Sequence, residues 1–160
     1  MNHEKKYAGM EEIVPIIEER IGSGKEVRIT VTGNSMVPML RHRRDSVVLK
    51  RAENLNKYDI PLYRRENGIY VLHRIIKKKG DTYYIAGDNE TSLEYPVKKE
   101  QVIAVVSGFY RKGKYYSNKN SLYKIYVWLW CAILPYRHKI LPKLLGIKRK
   151  IGGLRAKKQK

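Results

Sequence analysis

Cysteine occurs once in this chain, at Cys131, which excludes an internal disulfide and leaves the thiol to count as a small apolar side chain. It leaves the redox compartment open. Long apolar runs are also missing. The uninterrupted run that starts at Ile125 is 10 residues long, whereas a membrane span needs about 20. Extending it to Ile147 would bury Arg137, Lys139 and Lys143, at roughly 2.5 to 3.5 kcal/mol each near the bilayer centre. That cost of about 8 to 10 kcal/mol excludes a simple span. Met1–Glu12 carries charges but no apolar run of signal-peptide length, so neither a cleaved leader nor an N-terminal anchor is expected there, and a cytoplasmic start is. Internal repeats and parallel βαβ units are absent too. Acidic residues stop at Glu100: residues 1–110 hold 19 Lys and Arg against 15 Asp and Glu, and residues 111–160 hold 15 basic residues and no acidic one.

What is present is a 160-residue, 18.8 kDa chain of net charge +19, enough for one domain with an appendage and a real core. The globular part is nearly balanced and the end is a polycation. Such an end implies an anionic partner, a lipid surface or nucleic acid, beside the plainer reading of a solubilising extension.

Met10–Ile21 has apolar residues near helical spacing with Glu11, Glu12, Glu18, Glu19 and Arg20 facing away, Pro15 near its first turn and Gly22-Ser23-Gly24 as its stop. Residues 26–32 alternate Val27, Ile29 and Val31 with Arg28, Thr30 and Thr32, the period of a half-buried strand. Short strands are expected over 46–50, over 59–64 if Pro61 lies on an edge, over 69–76, 82–86 and 102–110. A loop is expected up to Glu100, and a turn leads into Tyr115-Tyr116. Frequent turns, short strands and one helix before the basic end predict a mainly β fold, a coiled antiparallel sheet or partly open barrel, with a short N-terminal helix and a C-terminal amphipathic helix. The expected division is a helical segment over 1–25, a β domain over 26–116 and a basic amphipathic end over 117–160.

The chemistry-bearing stretch is Gly33-Asn34-Ser35-Met36-Val37-Pro38, delivered at the end of the 26–32 strand. Polar turns of this composition are common loop chemistry. For Ser35 to act as a nucleophile it needs a base within hydrogen-bond reach and donors for an oxyanion. His73 shares a strand face with Val71 and Ile75, where a histidine is also an ordinary core residue. Asp88, in Gly87-Asp88-Asn89, is likewise ordinary turn chemistry. Together the three supply a nucleophile, a base and a carboxylate within one β domain.

The ordered set Gly33-Asn34-Ser35-Met36-Val37-Pro38-Met39-Leu40, His73-Arg74-Ile75-Ile76, Gly80-Asp81 and Gly87-Asp88-Asn89 resembles the type I signal peptidase family over residues 26–107. His73-Arg74 stands where the bacterial branch has Lys-Arg, so the chain is similar to the endoplasmic-reticulum and archaeal branch, also found in some Gram-positive bacteria. The resemblance implies Ser35 as nucleophile, His73 as general base and Asp88 as the acidic partner. A second acidic position of that branch, six residues past the first, falls on Glu94, lengthened by one methylene. A histidine base with an unperturbed pKa of about 6.5 is largely neutral at pH 7, and Asp88 could accept its other ring N–H, as in a serine triad.

The backbone N–H of Ser35 is the natural first oxyanion donor. Gly33 stands where some members of the family have a serine hydroxyl, leaving the Asn34 amide, the Thr32 hydroxyl or backbone for the second. Met36 and Pro38 are expected to shape the turn and line an apolar wall. The family implies an extended peptide or preprotein substrate with small residues before the cut, and no cofactor or metal.

The apolar run, its two tryptophans, several tyrosines and flanking cations fit an interfacial helix with a second piece over 140–147, so an anionic membrane surface contacted by residues 123–160 is favoured over nucleic acid. A helix packed on the domain is the alternative. A peripheral enzyme on the cytoplasmic face is expected, with a narrow substrate such as the leader of a small exported peptide. Two other functions compete. One is a self-cleaving repressor, disfavoured by the histidine base and by the 34 residues before Ser35, too few for a helix-turn-helix domain. The other is a non-catalytic protein on the peptidase scaffold.

Overall fold

The computed structural model describes residues 9–137 and 139. Helix α1 (Met10–Gly22) turns Val14, Ile17 and Ile21 inward, and its end is closed by Ser23 N–H to Glu19 O and Lys25 N–H to Arg20 O. Pro15 lies in the second turn, further in than the sequence suggested.

Nine strands follow, all paired antiparallel: β1 (Val27–Thr30), β2 (Ser46–Lys50), β3 (Pro61–Arg64), β4 (Tyr70–Leu72), β5 (Arg74–Lys79), β6 (Thr82–Ala86), β7 (Glu94–Lys98), β8 (Val102–Arg111) and β9 (Lys114–Ser117). The larger sheet has the order β1-β2-β8-β3-β4. β8 is its spine, with β2 along one edge while β3 and β9 share the other. Irregular register at Val48/Leu49 and Leu62/Tyr63 curls it strongly. A smaller sheet holds β5-β6-β7. The architecture is mainly β, with a helix at each end.

Three further details differ from the sequence reading. The strand expected over 69–76 is cut at His73: β4 belongs to the large sheet and β5 to the small one, so His73 is the crossing residue. Pro61 is in an interior strand, tolerated because it is the first residue, opposite Val105, before pairing with β4 begins at Leu62. The loop expected before Glu100 contains β7, whose Pro96 is accepted on the edge of the small sheet.

One core packs α1 and the Ser35 turn on the large sheet, through Ile17, Met36, Met39, Leu40, Val47 and Leu49; a second lies between the sheets, through Leu55, Tyr63, Ile75, Tyr83 and Ile85. Each such fully buried side chain contributes about 1.5 to 3 kcal/mol of transfer free energy.

Helix α2 (Ser121–Ala132) begins at Asn120, whose Oδ1 accepts the Tyr123 N–H at 3.1 Å. Its inner arc, with Val127 and Cys131 buried, packs on the β unit, and Tyr123 meets Phe109 with ring centroids 5.1 Å apart. Among the described residues no helix is long and apolar enough to cross a membrane. The expected second piece over 140–147 and the basic end over 148–160 lie outside the described residues.

Candidate active site at the crossing between the sheets

The fold puts His73 and Arg74 at the point where the chain leaves one sheet for the other, and both are buried. Their side chains find different carboxylates. The His73 Nδ1 lies 3.2 Å from Glu94 Oε1, and its Nε2 lies 3.5 Å from Glu90 Oε1. Glu94, the first residue of β7, is itself held: Arg65 donates from Nε to Oε2 at 2.8 Å and from Nη2 to Oε1, and the Tyr63 hydroxyl donates to Oε2 at 2.8 Å. Burial alone would raise the Glu94 pKa, but Arg65 and Tyr63 outweigh it and hold the group below the usual carboxylate value, so it stays ionised. A carboxylate accepts only and each ring nitrogen faces one; the shorter contact, to Glu94, takes the proton of neutral His73 on Nδ1, which leaves Nε2 as the basic nitrogen once Glu90 turns aside. Burial pushes the His73 pKa down, and the attraction of Glu90 and Glu94 only partly offsets it. The imidazole is therefore neutral at pH 7, as a base must be.

Asp88 is not the carboxylate on this ring, which corrects the sequence expectation. Arg74 takes both of its oxygens, Nε to Oδ1 at 2.9 Å and Nη2 to Oδ2 at 2.8 Å. The same guanidinium donates to Tyr58 O, the Tyr123 hydroxyl and Met39 Sδ, which occupies all five of its N–H donors. Burial opposes the charge on Arg74, yet Asp88 lifts its pKa well above the ordinary value. Asp88 shapes the corner that carries it.

That corner, Gly87-Asp88-Asn89-Glu90, touches both the Ser35 turn and the His73 ring. The Asn89 N–H donates to Ser35 O at 2.7 Å, and one residue further Glu90 faces His73 Nε2. A side chain at Gly87 would put its Cβ 2.7 Å from Ser35 O and 3.0 Å from Glu90 Cδ, so glycine is what lets the serine turn approach. Ser35 is half-buried, and among the described residues no hydrogen bond joins its hydroxyl to the His73 ring. The Glu90 carboxylate occupies the space beside Nε2 and has to rotate away before a hydroxyl can use that nitrogen.

The remaining expected site residues surround the turn. Among the described residues the Ser35 N–H donates to no backbone or side-chain acceptor. Gly33, in the left-handed region at φ 84°, donates its N–H to His42 Nδ1 at 2.9 Å, so this amide is already committed. Asn34 and Thr32 are exposed. Met36 is buried in the core with Met39 and Leu40 and anchors the turn rather than lining a substrate wall; Pro38 is half-exposed, its carbonyl accepting from Arg111.

His73, Glu90 and Glu94 each offer a ligand atom within 4.8 Å of the others. This set suits a polarised base better than a dication, because the Arg65 guanidinium already neutralises Glu94 and would repel a metal beside it. Tyr63, Arg65 and Glu90 had no signal in the sequence, since nothing in a short strand or a post-turn glutamate marks it as facing a histidine far along the chain. No family model and no curated protein matches the chain. The signal-peptidase resemblance therefore rests on the motif residues of the sequence alone.

Proposed function

We propose that this chain is a serine endopeptidase of the signal-peptidase type, in which Ser35 is the nucleophile, His73 the general base and Glu94 the carboxylate that orients the base. The observation that carries the reading is the buried, neutral His73, with Nδ1 on an ionised Glu94 and Nε2 turned to the corner that binds the Ser35 carbonyl. Ser35 Oγ attacks a peptide carbonyl as its proton passes to Nε2, the Ser35 N–H holds the oxyanion, and His73 then protonates the leaving amine. Water, activated by the same nitrogen, hydrolyses the acyl-enzyme.

The substrate class is an extended leader or signal peptide with small residues before the cut. β4 is an edge strand that runs directly into His73, and a peptide added along its open side would enter the site by main-chain pairing. The enzyme would work peripherally at a membrane, with the cytoplasmic face favoured, because residues 111–160 carry 15 basic residues and no acidic one and the apolar run is too short to span.

The test is cleavage of a leader peptide ending in Ala by wild type, Ser35→Ala and His73→Ala, with circular dichroism to follow the fold. Loss of cleavage in both folded variants supports the roles, and full activity in either refutes them. A non-catalytic role on the same scaffold is favoured by one observation, the Glu90 carboxylate beside Nε2, and it predicts no cleavage by wild type at all.

A further inference from the structure

Helix α2 has two apolar sides. The inner side supports the candidate site. Trp130 Nε1 donates to Asp88 O at 3.0 Å, and the buried Arg137, just past the helix, donates to Gly87 O at 3.1 Å, to Glu90 O at 3.3 Å and back to Trp130 O at 2.9 Å. Tyr123 accepts from Arg74. Three carbonyls of the corner that holds Ser35 are thus bound by side chains of one helix and its exit.

The outer side has no partner among the described residues. Leu122, Ile125, Trp128 and Leu129 are exposed by 78%, 55%, 59% and 53%, and they fall on one continuous arc at helical spacing. Beside Trp128 opens a cavity of about 370 Å³, lined by Tyr58, Ile60, Val127 and Trp128, with two cations, Lys57 and Lys124, and one carboxylate, Asp59, also on its wall. Exposed Lys119 and Lys139 flank the helix.

We infer that the outer face of α2, with the cleft beside Trp128, docks on an anionic lipid surface, and that docking steadies the Gly87–Glu90 corner through Trp130 and Arg137. The occupant follows from charge and shape. An apolar stripe of Leu122, Ile125, Trp128 and Leu129, flanked by Lys119, Lys124 and Lys139 and belonging to a stretch of sequence, 111–160, with 15 cations and no anion, is complementary to acyl chains below anionic headgroups, the cleft's Lys57 and Lys124 outnumbering its Asp59. A helix whose two faces bind lipid and the corner transmits the first event to the second, because ordering at one face lowers the entropic cost of ordering the other. The lipid arm stands on the surface alone, whereas the coupling to activity rests on the peptidase reading.

The experiment uses the full chain with vesicles of equal parts phosphatidylglycerol and phosphatidylcholine, and with vesicles of phosphatidylcholine alone. Flotation with the anionic vesicles only, release by high salt and a blue shift of tryptophan emission are expected. Amide hydrogen exchange at residues 87–90 should slow on docking, and leader cleavage should rise by about 5-fold or more. In Trp128→Ser and Lys124→Glu, flotation should weaken and the ratio of rates with and without vesicles should fall to about one.

Four results would overturn the inference: no flotation, equal flotation on both vesicle types, binding to RNA in place of vesicles, or shielding of Trp128 from iodide before any lipid is added. The last would mean that residues 140–160 or a second copy cover the face, the second copy being visible by sedimentation. Docking with unchanged exchange at residues 87–90 would overturn the coupling. Flotation and exchange are read without cleavage, so an inactive wild type that docks and slows exchange would refute the peptidase reading and leave the docking intact.

Discussion

His73 and Arg74 are neighbours in the chain and opposites in chemistry. Arg74 is fully buried, all of its donors are used, and its partner Asp88 is as deeply buried as it is. Such a pair has no spare valence, so it holds a shape. His73 is just as buried, but its carboxylates are half-exposed, its contacts are longer, and one ring nitrogen has no proton to give. Burial closes the hydrogen-bond set of Arg74 and leaves that of His73 unfinished, and the unfinished set is what the proposed base role uses.

The comparison breaks most visibly at His73. His73→Ala should slow leader cleavage by about 10⁴-fold or more while leaving the fold in place, as measured by initial rates beside circular dichroism. Arg74→Met should act the other way round, leaving Asp88 charged and buried without a partner and costing about 3 to 5 kcal/mol in urea unfolding. A change under about 1 kcal/mol would mean that the pair is not structural.

pH sharpens the contrast further. The folded His73 releases its proton below the ordinary histidine value, while the unfolded chain keeps it up to about pH 6.5. Between those points the unfolded state binds more protons, so stability falls as pH drops through the window, and His73→Asn should flatten that part of the curve. The kcat/KM should rise with pH through the folded value, at the lower edge of that window, as Nε2 becomes free, and level off within it. The smallest effect concerns the corner's support: Trp130→Phe removes the donor to Asp88 O and should cost about 1 kcal/mol, with Tm as the readout.

Much of this arrangement was legible before the fold. The alternation of Val71, His73 and Ile75 placed the histidine on a buried face, and the Gly-Asp-Asn corner and the serine turn were visible as turns. The break at His73 was not, because an apolar alternation continues smoothly across a change of sheet and only tertiary pairing decides it. Glu94 hid in a segment that Pro96 made look like a loop, since proline is rare in strands unless they lie on an edge. Arg74 gave no hint of burial because arginines are seldom inside without a partner, and its partner looked committed to the histidine. The two faces of α2 were half seen: the apolar run predicted a surface helix, but its inner bonds to the corner depend on contacts distant in sequence.

The most direct measurement compares the leader-cleavage rates of Glu94→Gln and Asp88→Asn, each taken on the fraction of protein that remains folded. The account predicts that Glu94→Gln is slower than wild type by about 10²-fold or more, since the ring loses its ionised acceptor, and that folded Asp88→Asn stays within about 10-fold, having lost support and no chemistry. A wild-type rate in Glu94→Gln, with Asp88→Asn as slow as His73→Ala, would contradict it and return the imidazole's partnership to Asp88.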